Sequence, residues 1–334
     1  MNIREIARRA RVSHSTVSRI INKIDTVDPK LVRRVQAVIQ EVGYRPNYQA
    51  RALARGRSHT VGLIVSELSG GNPFFSEIIL YFERAAVEHG YEVLVSFADT
   101  ETRPDHVAVC AARMQERQVE GIAALTFGME QYLQNCSVDV PMVYAGADHD
   151  LQGIRNIRIN YLPGIRDAVK HLADFGHRRI GYLSGQLSWS SMRMRYEALR
   201  KAMRGAGIAF DKELVAECDH TWDGGALGMA NLLNLPKPPT AVLCCNDVAA
   251  IGALKTLGTR GLQAGKDIAL VGFDDLTICR FTQPSLTTIQ FSPKELASLA
   301  FHALLEEIQE TKTKTNYEYR TRFVLRESTC APPR

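Results

Sequence analysis

Residues 3–23 read IREIARRARVSHSTVSRIINK, and this stretch decides the first unit of the fold. Ile3, Ile6, Ala7 and Ala10 recur at three- and four-residue spacing, as do Val17, Ile20 and Ile21; each set lays an apolar stripe along a short helix. Between the stripes, Val12 is placed to fill the angle. Ser13 is placed to cap the second helix by accepting a hydrogen bond from a backbone N–H near Thr16. Two short helices around a tight turn are helix-turn-helix grammar. A third helix is expected to start at Asp28 as N-cap, with Pro29 at the first helical position where its missing N–H costs nothing, and to end at Gly43. Leu31, Val35, Val38, Ile39 and Val42 then close a small all-α core.

The charge distribution points to the partner of this head. The chain of 334 residues carries a formal charge of +5. Residues 1–58 hold thirteen Lys or Arg against four acids, so the head is +9 and the remainder −4. A basic head on a mildly acidic body implies double-stranded DNA, because neutralising phosphates releases counterions and dominates affinity. In a helix-turn-helix the second helix enters the major groove with its N-terminal side chains at the base edges. Those are His14 and Ser15, with Arg19 one turn on and able to fork onto guanine. Ser13, Thr16, Ser18 and Asn22 supply short polar groups of the kind that grip phosphates. The alternative is a plain helical hairpin whose polar face meets water.

The stretch 43–56, GYRPNYQARALARG, has the Pro and Gly of a linker, yet Asn47 to about Arg55 has a helical composition. It is shorter than the roughly 12–15 residues an isolated helix needs in water. A helix here must form on a partner.

From Thr60 the pattern changes. TVGLIVS, YEVLVSF, GIAAL, VPMVY and NIRI alternate with helical runs at 73–89 and 103–117. The alternation restarts with a helix at 162–175, RIGYLSG, a helix at 191–206, TAVLCCND, a helix at 247–260 and DIALVGFDD. Such βαβ alternation predicts parallel sheets covered on both faces, here two doubly wound α/β units in series. HTWDGG, residues 220–225, reads as a capped loop.

Ligands of open α/β sheets bind at the carboxyl ends of the strands. The residues that follow each strand are therefore the candidates: Glu67 and Ser69, Thr126, Gly146 and Asp148, the run 186–195 with Ser191, Asn246 and Asp247, and Asp274 and Asp275. Trp189, Phe74, Phe75 and Phe291 are expected near the rim of such a cleft, able to stack a sugar ring or a flat heterocycle. Trp189 fits simple loop packing equally well. Capping of the elements that follow competes with binding for Asn246 and Asp274.

The whole chain resembles the lactose-repressor (LacI/GalR-type) family of bacterial transcription regulators. The resemblance rests on VSxSTVSR at 12–19, GYRPN at 43–47, LIVSELSGGNPFF, GHRRIGYLSG, PPTAVLCCNDVAAIGALK, DIALVGFDD and PSLTTIQ. It implies a periplasmic-binding-protein-like body with a small effector in the cleft, contacted by Arg195, Asn246 and Asp274. It also implies that Leu53 wedges between base steps of the minor groove; two copies of the hinge helix pack there, with Asn47 as N-cap, Arg51 and Arg55 near phosphates and Ala50 among the DNA-binding residues. His220 stands where the family often has an aromatic and is a weaker effector candidate, and Glu67 replaces a polar contact missing at Gly146.

These readings combine into an N-terminal all-α helix-turn-helix head with an α/β body. The DNA-binding domain is expected at 1–46, the hinge helix and linker at 47–59, and the effector-binding and dimerisation domain at 60–334. Its first subdomain takes about 60–159 and 290–318, its second about 160–289 and 319–334. The expected function is a cytoplasmic, homodimeric repressor of a pseudo-palindromic operator, controlled by a small effector, a sugar or sugar derivative. A purine or nucleoside-type corepressor is the alternative; induction and corepression both fit the residues, and the resemblance to sugar-responsive members of the family implies induction more often. A dimer is favoured over a tetramer because the end of the chain has no heptad tail.

Rival classes find less support. A periplasmic carrier predicts a signal peptide and no basic head, and no apolar run reaches the roughly 18 residues of a membrane span. An enzyme would need a constellation that is missing: there is no P-loop, no GxGxxG behind a strand, no HExxH and no GxSxG. The seven cysteines lack ligand spacing and read as core residues, so neither a metal nor a cofactor is expected.

Overall fold

The computed structural model describes residues 3–21, 27–43, 57–66, 72–99, 103, 105–126, 130–133, 136, 138–147, 149, 151–311 and 317–333. The chain divides into two compact units, 1–58 and 59–334.

In the first unit, α1 (Ile3–Ala10), α2 (His14–Ile21) and α3 (Pro29–Glu41) enclose buried Ile6, Ala7, Ala10, Val17 and Val35. Burying each of the larger side chains contributes about 1.5–3 kcal/mol, so this core is thin. Its ends are held by local chemistry. Ser13 Oγ accepts the Thr16 N–H at 3.0 Å, and Asp28 Oδ1 accepts the Lys30 N–H at 2.7 Å with Pro29 opening α3. Arg11, at φ 50°, makes the turn between α1 and α2 in the left-handed region, and Val12 packs into the angle. Leu31 differs from expectation: it is only half-buried and stands outside the apolar cluster formed by the described residues.

The second unit holds two six-stranded sheets. The first orders its strands β11-β5-β4-β3-β1-β2 and the second β12-β10-β9-β8-β6-β7. In the first sheet β1 is Thr60–Ser66, β2 Glu92–Ala98, β3 Ile122–Leu125, β4 Met142–Ala145, β5 Arg155–Asn160 and β11 Tyr317–Arg320, all parallel. In the second, β6 is Ile180–Ser184, β7 Val215–Glu217, β8 Ala241–Cys244, β9 Ala269–Asp274, β10 Thr288–Gln290 and β12 Arg322–Val324. Only the β10–β12 pair is antiparallel. Central strands such as β1 and β9 are apolar along nearly their whole length because helices cover both faces.

The helices of the body are α4 (Pro73–Glu88), α5 (His106–Glu116), α6 (Glu130–Leu133), α7 (Leu162–Asp174), α8 (Ser190–Gly205), α9 (Trp222–Leu233), α10 (Asp247–Thr259) and α11 (Pro293–Ile308). The HTWDGG stretch is where expectation fails. Thr221 does cap, accepting from the Gly224 N–H at 3.0 Å, but a three-turn helix, α9, follows rather than a loop. Glycine disfavours a helix locally by about 1 kcal/mol against alanine; here it serves packing between α9 and α10. A Cβ at Gly225 would stand 2.1 Å from the Ala249 carbonyl oxygen, and one at Gly252 1.9 Å from that of Trp222.

The chain passes between the sheets three times, at Tyr161, at Phe291 and Ser292, and at Thr321. One group ties two of these passages together: the Thr321 hydroxyl donates to the Tyr161 carbonyl at 3.0 Å and accepts the Gly164 N–H at 3.2 Å. The third is joined by the Ser292 N–H, which donates to the Tyr319 hydroxyl at 2.8 Å. The expected division after residue 318 falls inside β11, because Tyr319 and Arg320 continue the pairing with Ile159 and Asn160. Likewise Asn160 still belongs to β5, and Gln290 pairs with Asp274 in the second sheet.

Four cysteines, Cys110, Cys244, Cys245 and Cys279, are buried, and all seven are unbridged. Among the described residues no helix is long and apolar enough to cross a membrane.

Candidate functional site

The carboxyl ends of both sheets open on one cavity of about 450 Å3, its solvent-filled mouth included. Ser66 ends β1 and Thr126 follows β3 on one side. On the other, Asn246 follows β8 and Asp274 ends β9. The beginnings of α4 and α8 and the residues that precede them complete the wall with Asn72, Phe74, Phe75, Trp189, Ser191, Met192 and Arg195, joined by His220 and Phe291. Phe74, Phe75, Trp189, Ser191, Arg195, His220, Asn246, Asp274 and Phe291, which lie far apart in sequence, thus meet in one place. Glu67 and Ser69, with Asn22, Asn47, Ala50, Arg51, Leu53 and Arg55, lie outside the described residues.

Arg195 is the centre of the polar wall. It is only 5% exposed; Nη1 donates to the Cys245 carbonyl at 2.6 Å, and the guanidinium carbon lies 3.9 Å from the centre of the Phe273 ring, within cation–π range. Tyr161 and Phe291 present their rings at 5.0 and 5.7 Å. The two aromatic residues of the inter-sheet passages therefore touch the side chain that faces the cavity.

Asp274 is 3% exposed and sits at φ 121°, a conformation that L-residues adopt only under constraint. The constraint comes from its neighbours. Asp275, at φ 60°, is ion-paired with Arg326 and accepts from Gln290 Nε2 at 3.1 Å. Asp247, fully buried, accepts the Leu276 N–H at 2.8 Å and the Thr288 hydroxyl at 2.6 Å. The carboxylates of Asp274 and Asp275 diverge: the first lines the cavity and the second pairs with Arg326. Burial holds the Asp274 carboxyl well above its usual range, against the opposing pull of Arg195. No hydrogen bond to that carboxyl is found among the described residues.

Asn246 both caps and lines. Its Oδ1 accepts the Ala249 N–H at 2.7 Å at the start of α10, and its Nδ2 donates to the His220 carbonyl at 3.3 Å. Trp189 and His220 stack with centroids 4.9 Å apart and planes inclined by 11°. His220 is pressed against Gly185, where a Cβ would stand 2.4 Å from its Cε1 and 2.8 Å from both its Nε2 and Met192 Sδ. Burial, with a further contribution from Arg195, lowers the His220 pKa to about 4, so the ring is neutral at pH 7.

Of the aromatic residues expected at the rim, Phe74, Phe75 and Phe291 lie deeper, whereas Trp189 is half-buried. Phe74 stacks on Phe291 at 5.4 Å and 19°, and Phe291 is fully buried because it sits in the passage from β10 to α11. Ser66 and Asn72 join the lining without having been singled out, and Met192 comes from the candidate run 186–195. The signal for Asn72 was legible: it precedes Pro73 and caps α4, accepting the Phe74 N–H at 3.0 Å. Ser66 is hidden within an apolar strand.

Thr126 Oγ1, Ser191 Oγ, Arg195 Nε and His220 Nε2 are buried without a hydrogen-bond partner among the described residues. Leaving such a group unsatisfied costs about 1–3 kcal/mol, and four of them line one cavity.

In the head, His14, Ser15 and Arg19 are exposed on α2, while Thr16 and Ser18 are half-buried. Ser13 Oγ lies 2.7 Å from both the Ser15 and Thr16 hydroxyls, so the capping residue also orients its neighbours. Glu5 is held at about 2 by hydrogen bonds from Arg8 and Arg9.

A helix-turn-helix unit and a two-sheet α/β unit with a polar cavity define a DNA-binding regulator with a small-molecule cleft. The comparisons agree. Residues 2–47 match the family model for bacterial regulatory proteins of the lacI family, and residues 169–329 match that of the periplasmic binding protein-like domain. The HTH-type transcriptional repressor CytR of Escherichia coli (strain K12) is 32% identical over 309 residues, covering 92% of this chain and 89% of the relative. The lac repressor dimer bound to operator and the anti-inducer ONPF superposes with a TM-score of 0.90 at 28% identity over 99% of both chains. A transcriptional regulator CelR–cellobiose complex gives 0.71 at 27% identity, over 98% of this chain and 99% of that one. The chain belongs to the lacI family of bacterial regulatory proteins, and its body has the periplasmic-binding-protein-like fold.

Proposed function

We propose that this chain is a homodimeric, operator-binding repressor whose DNA affinity is set by a small carbohydrate-type effector held between the two sheets. The observation that carries the effector reading is the cavity itself. A forked donor (Arg195), a carboxylate (Asp274) and an amide (Asn246) face a set of unsatisfied buried hydroxyl and ring groups, and vicinal hydroxyls satisfy such a set. Likeness to the cellobiose-bound regulator supports a sugar. The flat Trp189–His220 pair favours a second reading, a nucleoside-type ligand whose base lies along that wall.

On the DNA side, His14, Ser15 and Arg19 read bases, and Ser13, Thr16, Ser18 and Asn22 hold the backbone. Asn47, Ala50, Arg51 and Leu53 engage the minor groove in a hinge of residues 47–59. Two-fold symmetry presents two heads to a pseudo-palindromic site. Control is a population shift, so the effector binds one arrangement of the two sheets more tightly than the other. The protein is a regulator and not an enzyme.

Two measurements test this reading. Duplex DNA binding by the full chain should weaken steeply as salt rises; a flat response overturns the DNA assignment. A thermal-shift panel of sugars and nucleosides should contain a stabilising compound, since a ligand of the native state raises its stability by mass action.

A further inference from the structure

Outside the cavity lining, on the first sheet's helical cover, we infer that His89 and His302 together hold one divalent transition-metal ion of the kind that imidazole prefers, Zn2+, Ni2+ or Cu2+. The two side chains come from different helices. His89 follows the last turn of α4 as its C-cap, with its N–H on the Ala86 carbonyl at 3.0 Å, and His302 lies within α11. These helices pack through Phe82 and Phe301, both fully buried, with their rings edge to face at 5.6 Å. Phe301 is also the floor beneath both imidazoles, 5.3 Å from the His89 ring and 5.9 Å from that of His302. The pair is thus carried on elements that the core holds rigid, which is what a precise site needs.

The protons are arranged for ligation. His89 Nδ1 lies 2.9 Å from the Ala85 carbonyl, and His302 Nδ1 lies 2.6 Å from that of Ser298. A carbonyl only accepts, so each Nδ1 carries the hydrogen and the neutral ring keeps its lone pair at Nε2. Metal-binding histidines use the same device, a carbonyl on the far nitrogen that fixes the tautomer and aims the ring. Neither Nε2 has a hydrogen-bond partner among the described residues. Both residues are exposed, so an ion reaches them from solvent.

The spacing agrees. An ion about 2.0–2.1 Å from each of two imidazole nitrogens sets their ring centres roughly 5 Å apart. The His89 and His302 centres are 5.4 Å apart, with planes crossed at 86°, and the match needs no movement of either helix. No set of three or more His, Cys, Asp or Glu that could hold a metal is gathered among the described residues. Water therefore fills the remaining positions, and the ion exchanges with solvent. Nitrogen ligands select against Mg2+ and Ca2+, which take oxygen. Ring contacts lead from Phe301 to Tyr91 at 6.2 Å and from Tyr91 to His59 at 5.6 Å. The ion would brace the end of the body at which residue 59 begins.

The test uses the full chain without an affinity tag. Calorimetric titration with ZnCl2, NiCl2 and CuCl2 should reveal a site that His89→Ala and His302→Ala each weaken by about 10–100-fold or more, since losing a ligand costs at least as much as losing the group that orients one. An excess of MgCl2 should not compete. Zn2+ should raise the unfolding temperature of the parent and leave that of either variant where it stands without metal. A second measurement does not depend on stability: the electron paramagnetic resonance spectrum with one equivalent of Cu2+ should show two imidazole nitrogens in the parent and one in either variant. Metal affinity unchanged in either variant, an unchanged nitrogen count or displacement of Zn2+ by Mg2+ overturns the inference. None of these results bears on the effector cleft or on DNA binding.

Discussion

The Trp189 indole lies face to face with the His220 imidazole at 4.9 Å, and the stack exists because residue 185 has no side chain. Gly185→Ala places a methyl where the imidazole edge now sits, and the ring, held by the indole, has no cheap escape. Stability should fall by about 1–3 kcal/mol, with a change in tryptophan fluorescence and weaker effector binding. Thermal denaturation of Gly185→Ala and of the double variant with His220→Ala checks this: the second substitution should restore much of the stability. A single variant as stable as the parent removes the packing argument.

The depressed pKa of His220 makes stability depend on pH. The folded value of about 4 lies below the ordinary 6.5, so between these values the unfolded chain binds the proton and the folded chain does not. The unfolded state then gains relative to the folded one as pH falls from 6.5 towards 4, and stability declines through that window. Denaturant titrations at several pH values should show His220→Phe with a flatter profile than the parent. Parallel profiles would show that this ring is not the titrating group.

Arg195→Ala should abolish the effector response, with effector affinity falling by about 2–5 kcal/mol, while operator binding without effector persists. Gel-shift titrations with and without the identified compound separate the two. A variant that still responds normally takes Arg195 out of the site.

Arg326 touches no ligand in this scheme, yet Arg326→Ala leaves Asp275 without its cation. The expected cost is about 3–5 kcal/mol of stability, together with weaker effector binding as the turn that aims Asp274 relaxes. Arg326→Lys, which keeps the charge, should recover part of both. Effector affinity unchanged in the alanine variant would mean that the ion pair does not position Asp274.

In the head, Ser13→Ala removes the acceptor for the Thr16 N–H and should cost about 1 kcal/mol, read by thermal unfolding. Replacing His14 or Ser15 should instead alter operator preference, at roughly 1–3 kcal/mol for each base interaction removed. A selection from randomised operators that returns the parental site for both variants would reassign the readers.

Local rules made the head legible. The caps at Ser13 and Asp28, the Pro at the start of α3 and Gly43 beyond its end each act within a few residues, so spacing alone exposes them. The strands of the body were legible for the same reason, since a buried parallel strand is an apolar run. Helix α9 was not. Gly224, Gly225 and Gly228 argue against a helix locally, and the reason for Gly225 is Ala249 on the neighbouring helix, more than twenty residues away, while Gly228 faces Leu183 of β6.

The cavity divides in the same manner. One rule, that ligands meet the ends of parallel strands, found its candidates, and reading the residues alone was enough to put Asn246 and Asp274 at such ends and Arg195 in the run that follows another. Their surroundings came from packing. It put Phe291 and Phe74 in the wall rather than at the rim, set Trp189 on His220, and turned Asp274 inward while Asp275 pairs with Arg326. The physical reason is range: caps and periodicities are interactions over a few residues, whereas burial, cation–π stacking and the fate of an unsatisfied donor depend on what distant segments bring alongside.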